Sequence, residues 1–262
     1  MRSVEPDQGV IWVTGASSGI GRALALKLAR QGFRVAVTAR NLESLLSLQT
    51  EARDSGGAII VLDGDVTHAG DMERVVNAIE YEHGGLQAAI LNAGVYIPVR
   101  GGDLKVEDFE KTFAVNLSGV VHCLVPAVRA MKARKQGRIL LVSSVTGYGG
   151  LPTSAAYGAT KAALINMAES LKFDLDPLGI DLQVVNPGFV ETPATAQNAF
   201  EMPALVSADV AARRIIEGMA AGGFEITFPR RFTYVLKLLR LLPYALYFPL
   251  VRKATRWDQQ TP

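Results

Sequence analysis

The chain has 262 residues, of which 49% are hydrophobic and 20% are charged, and its net charge at pH 7 is +2. A chain of this length and composition can bury a sizeable globular core, and so small a net charge gives no indication of nucleic-acid binding. Cys123 is its only cysteine, which excludes an internal disulfide and favours a reducing, cytoplasmic compartment. The N-terminal residues lack the apolar segment of a signal peptide, so we expect none.

Short apolar runs alternate with segments of helical periodicity along most of the chain. The predicted strands are Val10–Thr14, Phe33–Ala39, Ala58–Asp63, Leu86–Leu91, Gly137–Ser143, Ile180–Val185 and Phe224–Phe228. The predicted helices between them are Arg22–Gln31, Leu42–Arg53, Thr67–Glu82, Val106–Lys132, Ser154–Asp176 and Ser207–Ala220. This alternation predicts βαβ units. We therefore predict an α/β fold of the Rossmann type, a single domain with three α/β/α layers around a doubly wound parallel sheet.

Three glycines, Gly15, Gly19 and Gly21, follow the first predicted strand. Their G-x-x-x-G-x-G spacing differs from the G-x-G-x-x-G fingerprint, but they lie between a strand and a helix. In that position the first glycine permits a tight turn, the second lets the backbone approach a pyrophosphate, and the third lets the helix pack closely. Because free N–H groups at the helix start attract anions, the turn predicts dinucleotide binding.

The end of the second predicted strand bears on the choice between NAD and NADP. In dinucleotide folds an acidic residue there binds the ribose 2′-hydroxyl, whereas an arginine accommodates a 2′-phosphate. Here the residues are Ala39 and Arg40, without an acid. The pattern favours NADP, although Arg40 could instead begin a solvated loop.

Small or polar residues follow other predicted strands. They are Asp65 and Val66, then Asn92, Ala93 and Gly94, and finally Ser144. Ligands bind at the carboxyl ends of parallel strands, so we expect these residues and the glycine turn to meet at one edge of the sheet.

Tyr157 and Lys161 lie four residues apart near the start of a predicted helix. Residues at this spacing share a helix face, so both side chains can enter one cleft. A neighbouring ammonium favours the phenolate and lowers the phenol pKa from its ordinary value of ~10. Ser144, at the end of a strand, could hydrogen-bond the same reacting oxygen. Taken alone, such a pair more often belongs to an ordinary helix surface.

In this order and spacing, the segments resemble the short-chain dehydrogenase/reductase family over residues 8–228. The matching segments are Thr14–Gly21, Asp65–Val66, Asn92–Gly94, Asn116, Ser144, Tyr157 with Lys161, and Pro187–Thr192. The resemblance implies an NADP(H)-dependent oxidoreductase that transfers a hydride between nicotinamide and a carbonyl or secondary alcohol. It also implies a homodimer or homotetramer built through the helices of residues 103–132 and 154–176.

The resemblance assigns catalytic roles to four residues. It implies that Tyr157 is the general acid in reduction and the general base in oxidation, and that Lys161 lowers its pKa and holds the nicotinamide ribose. Ser144 would orient the substrate carbonyl, and Asn116 would help to hold a water that relays protons to Lys161. A scaffold without turnover would typically lose some of these residues. We therefore favour an enzyme over the alternative, a cofactor-binding sensor or scaffold with the same fold.

The cofactor site implied by the resemblance combines the glycine turn with the ends of later strands. Its expected residues are Gly15, Ser17, Ser18, Gly19, Ile20, Gly21, Arg40, Asp65, Val66, Asn92, Ala93, Gly94, Tyr157, Lys161, Pro187, Gly188, Val190 and Thr192. Some NADP-using relatives carry a basic residue at the position of Ser18, so Arg40 would hold the 2′-phosphate nearly alone. NADP(H) is the expected cofactor, NAD(H) is the alternative, and no metal site is expected.

The substrate pocket is expected around Ser144, Tyr148, Leu151 and Phe189, beside a lid at residues 191–206 that includes Phe200. No lysine or arginine stands out among the pocket residues. The substrate is therefore predicted to be small and apolar, such as a ketone, an aldehyde or a secondary alcohol on a lipid- or steroid-like body. The same apolar residues could equally belong to the core.

Residues 229–262 form a C-terminal extension beyond the resemblance. Between positions 230 and 256 the extension contains seven basic residues and no acid. A helix there would align Thr233, Lys237 and Arg240 in a narrow polar stripe, with apolar residues around the rest. Its longest charge-free run, Leu241–Val251, is too short for a membrane span, which needs about 20 residues. A peripheral membrane contact through residues 230–256, a contact with another subunit or over the pocket, and a loose tail remain open.

Overall fold

The computed structural model of the protein describes residues 5–6, 8–197 and 202–257. The strands are β1 (Val10–Thr14), β2 (Arg34–Thr38), β3 (Ala58–Val61), β4 (Leu86–Leu91), β5 (Gly137–Val142), β6 (Ile180–Pro187), β7 (Val190–Glu191), β8 (Val206–Ser207) and β9 (Glu225–Phe228). Seven of them form a parallel sheet in the order β3-β2-β1-β4-β5-β6-β9, and β7 pairs with β8. The chain reverses its direction of travel across the sheet between β1 and β4, where such folds open a crevice.

Helices connect these strands. They are α1 (Gly19–Arg30), α2 (Leu42–Asp54), α3 (Ala69–Glu82), α4 (Val106–Phe113), α5 (Gly119–Ala133), α6 (Ala155–Leu175), α7 (Ala208–Ala221), α8 (Arg230–Arg240) and α9 (Tyr244–Ala254). A π-helical turn, Ala114–Ser118, joins α4 to α5, and single 3₁₀ turns occupy Val145–Gly147, Asp176–Leu178 and Thr195–Gln197.

The two faces of the sheet bury two separate apolar clusters, because side chains alternate along each strand. Ile11 and Val13 of β1 belong to the cluster that includes α1, α2 and α7. Val10 and Trp12 belong to the cluster that includes α3, α5 and α6. The central sheet is therefore covered by helices on both sides, which confirms the predicted three-layer Rossmann-type domain.

Some element boundaries differ from those predicted. The strand β6 continues past Val185 to Pro187, because Asn186 and Pro187 still pair with residues of β9. In contrast, β3 ends at Val61 rather than at Asp63. These shifts leave the carboxyl edge of the sheet where the sequence predicts it.

The segments α4, the π-helical turn and α5 form one helix from Val106 to Ala133. It contains an 18-residue window with mean hydropathy 1.4, so by length and composition it could cross a membrane. However, Cys123 and Leu124 are buried in the core cluster, and Asn116 is buried at the carboxyl edge of the sheet. Packing against the core therefore explains part of the apolar composition of this helix.

Candidate active site

A cavity of about 750 Å³ opens at the carboxyl ends of β1, β2, β4, β5 and β6. All residues predicted to bind the cofactor line it, with the exception of Gly21. Ser144, Leu151 and Phe189 line it too, whereas Asn116 and Tyr148 do not. One cavity thus brings together most of the residues singled out in the sequence.

The glycine turn has the backbone that its spacing suggests. Gly15 and Gly19 have φ values of +67 and +55, which glycine adopts readily. A Cβ atom on Gly21 would lie 2.3 Å from the carbonyl oxygen of Gly15, so a side chain there would separate α1 from β1. The Ser18 side chain does not cap α1, which leaves the first N–H groups of the helix available to an anion. The turn therefore fits the pyrophosphate of a dinucleotide.

Arg40 lies at the end of β2 with its side chain 69% exposed, and its Nη1 atom is 4.0 Å from Oδ2 of Asp65. Burial raises the pKa of Asp65, but hydrogen bonds from Thr67 and the charge of Arg40 outweigh this and hold the pKa below its ordinary value. The exposed guanidinium lines the same cavity as the glycine turn. It is therefore accessible to a ligand bound in that cavity.

Two asparagines hold the loop after β4. The Nδ2 atom of Asn92 donates to the carbonyl oxygens of Thr14 and Gly15, at 3.0 and 3.3 Å. Asn116 accepts from the backbone N of Val95 at 2.8 Å and donates to its carbonyl oxygen at 2.9 Å. Asn116 thus shapes the cavity wall by holding the backbone of Val95, and these two hydrogen bonds occupy its side-chain amide.

Ser144 and Tyr157 both line the cavity. Ser144 follows β5 and caps a 3₁₀ turn by accepting from the backbone N of Thr146 at 3.2 Å. Burial raises the pKa of Tyr157, whereas an interaction with the Ser144 hydroxyl lowers it and shows that the two groups are close together. The Tyr157 ring lies edge-on against Tyr96, with centroids 5.2 Å apart, and the Tyr96 hydroxyl bonds Thr153 at 2.8 Å. These contacts fix the phenol beside the serine.

Lys161 is buried beneath Tyr157. Its Nζ atom donates to the carbonyl oxygen of Val142 at 2.8 Å and lies 5.3 Å from the centroid of the Tyr157 ring. Burial lowers the pKa of Lys161 to about 8. Burial also raises the pKa of Tyr157 to about 12, with the Ser144 hydrogen bond opposing it and Tyr96 adding to it.

A lowered pKa of Tyr157 was expected from the nearby Lys161, but the pKa lies above its ordinary value. Desolvation of the phenol raises it, and the hydrogen bond with Ser144 opposes this only in part. At neutral pH Tyr157 is therefore a phenol that carries its proton, the form that a general acid requires.

The prediction that Tyr148 lines the substrate pocket is also wrong. Its hydroxyl donates to Oε1 of Glu225 at 2.5 Å and lies 3.2 Å from Oγ1 of Thr227. These partners belong to β9, which draws the ring away from the cavity. Glu225 is 77 residues from Tyr148 in sequence, so the local pattern around Ser144 and Tyr148 does not indicate the hydrogen bond between Tyr148 and Glu225.

The C-terminal extension contributes to the cavity wall. Thr255 and Trp257 line it, and the guanidinium carbon of Arg100 lies 5.3 Å from the Trp257 ring centroid. The extension thus makes a contact at the pocket, one of the alternatives that the sequence left open. No local motif marks Trp257, since it follows the amphipathic segments of the extension.

The predicted lid begins and ends in a small ladder. The strands β7 and β8 pair in parallel, with Val190 opposite Val206 and Glu191 opposite Ser207. This pairing joins the two ends of the 191–206 loop. Pro193, Ala194 and Thr195 line the cavity. Phe200, also predicted for the lid, lies outside the described residues.

Comparisons with known proteins agree with this geometry. A family model described as short chain dehydrogenase matches residues 9–202. The chain is similar to an uncharacterized oxidoreductase of Myxococcus xanthus, with 36% identity over 241 residues, 92% of this chain and 95% of that protein. A short-chain dehydrogenase/reductase of Burkholderia phymatum in complex with NAD shares the fold, with a TM-score of 0.82, 23% identity and coverage of 90% and 94%. Actinorhodin polyketide ketoreductase with NADPH has a TM-score of 0.77, 27% identity and coverage of 86% and 97%.

The doubly wound sheet and the cavity at its carboxyl edge define a dinucleotide-type oxidoreductase site. The family model that matches residues 9–202 identifies the protein class more specifically than the fold does. The chain belongs to the short-chain dehydrogenase/reductase family, and it is an oxidoreductase that acts on CH–OH groups.

Proposed function

We propose that the protein reduces the carbonyl of an uncharged, apolar ketone or aldehyde with NADP(H), and oxidises the matching alcohol in reverse. One observation carries this proposal: a half-buried, protonated Tyr157 phenol and the Ser144 hydroxyl line the same cavity, which the glycine turn borders. The similarity to a polyketide ketoreductase solved with NADPH supports it.

The cofactor would lie along the carboxyl edge of the sheet, and when bound it supplies the hydride. The glycine turn and the start of α1 would hold its pyrophosphate, with Asp65 and Val66 beside the adenine. Asn92, Ala93 and Gly94 would border the adenosine ribose through their backbone, since the Asn92 side chain is engaged with Thr14 and Gly15.

The nicotinamide end would be held by residues that line the other part of the cavity. They are Lys161 at the ribose hydroxyls, and Pro187, Gly188, Val190 and Thr192 around the carboxamide. Each of them lies on or just after β6, or on α6.

The protein's own groups would manage the proton and the developing negative charge. Tyr157 donates its phenolic proton to the substrate oxygen, and the Ser144 hydroxyl donates a hydrogen bond to the same oxygen. The Lys161 ammonium, 5.3 Å from the centroid of the Tyr157 ring, stabilises the phenolate that proton donation leaves behind. A water relay to Lys161 would use the backbone of the π-helical turn, because the Asn116 side chain is bound to Val95.

The cavity also restricts the substrate. Arg40 and Lys161 are the cations among its described lining residues, and both are assigned to the cofactor. The remaining lining includes Leu151, Phe189 and Trp257. Such a lining favours a substrate that is apolar and uncharged.

We also infer a cytoplasmic homodimer or homotetramer that pairs through α4, α5 and α6. Apolar side chains on these helices are exposed in the single chain: Phe113, Val121, Val125 and Phe173. Exposed apolar surface of this kind is typical of subunit contacts.

Replacement of Tyr157 by Phe tests the general acid. The Tyr157→Phe variant keeps the ring and its packing on Tyr96 but lacks the transferable proton. We expect kcat for ketone reduction to fall by about 10² to 10⁴-fold, with NADPH affinity within about twofold of wild type. NADPH oxidation and NADPH fluorescence titration give the two values.

Tyr81→Phe, at an exposed position of α3, is the matched control and should behave as wild type. Turnover retained in Tyr157→Phe would refute the assigned role. If the wild-type protein binds NADPH but reduces nothing across an apolar ketone and aldehyde panel, a sensor function would be favoured instead.

A charge reversal at Arg40 tests the cofactor choice. In Arg40→Asp, a carboxylate replaces the cation that would hold the 2′-phosphate, so the ratio of kcat/KM for NADPH to that for NADH should fall at least about tenfold. Arg53→Asp, exposed at the end of α2, makes the same change of net charge outside the cavity and should leave the ratio unchanged. An unaltered ratio in Arg40→Asp would mean that another group binds the phosphate.

The pH profile of reduction tests the role of Lys161. Its pKa is lowered to about 8 by burial, so the ammonium is lost as the pH rises above that value, whereas Tyr157 keeps its proton. We expect kcat/KM for the ketone to be level below about pH 8 and to fall above it. In Lys161→Arg, whose guanidinium stays charged, any residual activity should lack this fall. The same fall in both proteins would exclude Lys161 as its source.

A further inference from the structure

Helix α8 packs on the protein through a face that carries part of its polar stripe together with Phe232, whose ring centroid lies 5.8 Å from that of Phe189. Thr233 is fully buried and Lys237 is half-buried, while the opposite face exposes Tyr234, Val235 and Leu238 by 49%, 53% and 65%. A helix on the surface of a soluble protein normally buries its apolar stripe and exposes its polar one. The exposed face of α8 is therefore more apolar than that of an ordinary surface helix.

Specific partners hold α8 in this orientation. The Lys237 ammonium forms an ion pair with Oε2 of Glu225 and lies 5.2 Å from the centroid of the Tyr148 ring. Glu225 also accepts from Nδ2 of Asn186 at 2.7 Å. Burial raises the pKa of Glu225, but the hydrogen bonds to its carboxylate and the charge of Lys237 outweigh this effect. They hold the pKa below its ordinary value, so the carboxylate stays charged. Rolling the helix to bury its apolar face would break this network.

Helix α9 extends the exposed apolar surface. It is fixed by the buried Tyr247, whose hydroxyl donates to the carbonyl oxygen of Gly150 at 2.8 Å. On either side of this anchor, large side chains remain exposed, and Tyr244 stacks on Phe248 with centroids 5.6 Å apart. The exposed apolar residues of the two helices and their connection are Tyr234, Val235, Leu238, Leu241, Tyr244, Leu246, Phe248 and Leu250.

The charge of this segment indicates what covers it. Residues 230–256 include seven basic residues and no acidic residue. Six of the basic residues are exposed: Arg230, Arg231, Arg240, Arg252, Lys253 and Arg256. A symmetric pair of copies would bring this cationic patch against itself, which like-charge repulsion disfavours. An anionic lipid surface offers the opposite charge and an apolar layer for the Leu, Tyr and Phe side chains.

We propose that α8, α9 and their connection, here termed the basic hairpin, bind peripherally to the surface of an anionic membrane. Each helix has eleven residues and is about 16 Å long at 1.5 Å per residue, so neither can cross a hydrocarbon core of about 30 Å. The side chains enter the headgroup region instead, while the packed face of α8 remains on the protein. This inference stands independently of the reaction proposed above.

Vesicle flotation of the full chain tests the proposal. Wild-type protein should float with vesicles of phosphatidylcholine containing about 30% phosphatidylserine, and at least about tenfold less with phosphatidylcholine alone. Raising the salt concentration should weaken the interaction because exposed charges are screened. Equal recovery with the two vesicle types, or none with either, would overturn the proposal.

Matched variants assign the binding to the basic hairpin. Leu238→Ser with Phe248→Ser should reduce binding at least about tenfold, whereas Leu46→Ser with Tyr81→Ser, also at exposed positions, should not. Arg231→Glu with Lys253→Glu should reduce it at least about 20-fold, and Arg53→Glu with Lys135→Glu should not. NADPH titration of each variant checks that it is folded.

Light scattering of the same proteins separates lipid binding from subunit contact. The proposal predicts that Leu238→Ser with Phe248→Ser keeps the molar mass of the wild-type oligomer. If this variant instead dissociates and still floats like wild type, the basic hairpin is a contact between copies of the chain, and the proposal is wrong.

Discussion

The active site depends on how the carboxyl ends of β1 and β4 are joined. Oγ1 of Thr14 accepts from the backbone N atoms of Asn92 and Ala93, at 3.0 and 3.1 Å, and the Asn92 side chain donates back to Thr14 and Gly15. The approach is so close that a Cβ atom on Gly15 would lie 2.7 Å from Cα of Ala93. This junction lies at the strand-order reversal, so it sets the floor of the crevice on which the other strands place their terminal residues.

Burial then gives the two central groups of the site different protonation properties. It raises the pKa of Tyr157 and lowers that of Lys161, because desolvation penalises the charged form of each. The phenol is held in its acid form, and the lysine titrates nearer to neutrality than a lysine in water. The cavity thus contains a proton donor and a nearby cation whose charge depends on pH.

The sequence predicted the fold and most of the cavity because both rest on local signals. Strand–helix alternation, the glycine turn and the residues after each strand are contiguous patterns, and parallel strands necessarily bring those residues to one edge. The pKa of Tyr157 was predicted with the wrong sign because spacing shows that Lys161 is near but not how strongly the folded chain desolvates the phenol.

The C-terminal extension shows a second limit. Periodicity correctly identified a helix with a narrow polar stripe, but it cannot say which side of a helix is buried. That choice is made by Glu225, Asn186 and Tyr148, which come together only in the folded protein. The same network explains why Tyr148 leaves the pocket, so two unpredicted features have one physical origin.

We propose that this cavity brings a nicotinamide C4 hydride and a carbonyl carbon together beside Tyr157. Deuterium transfer is the sharpest test: NADPH labelled with deuterium on either face of C4 is supplied with a ketone that the protein reduces, and the alcohol is analysed by mass spectrometry. We expect one of the two labelled cofactors to deliver deuterium to the carbinol carbon. An alcohol that carries no deuterium from either cofactor would contradict direct hydride transfer in this site.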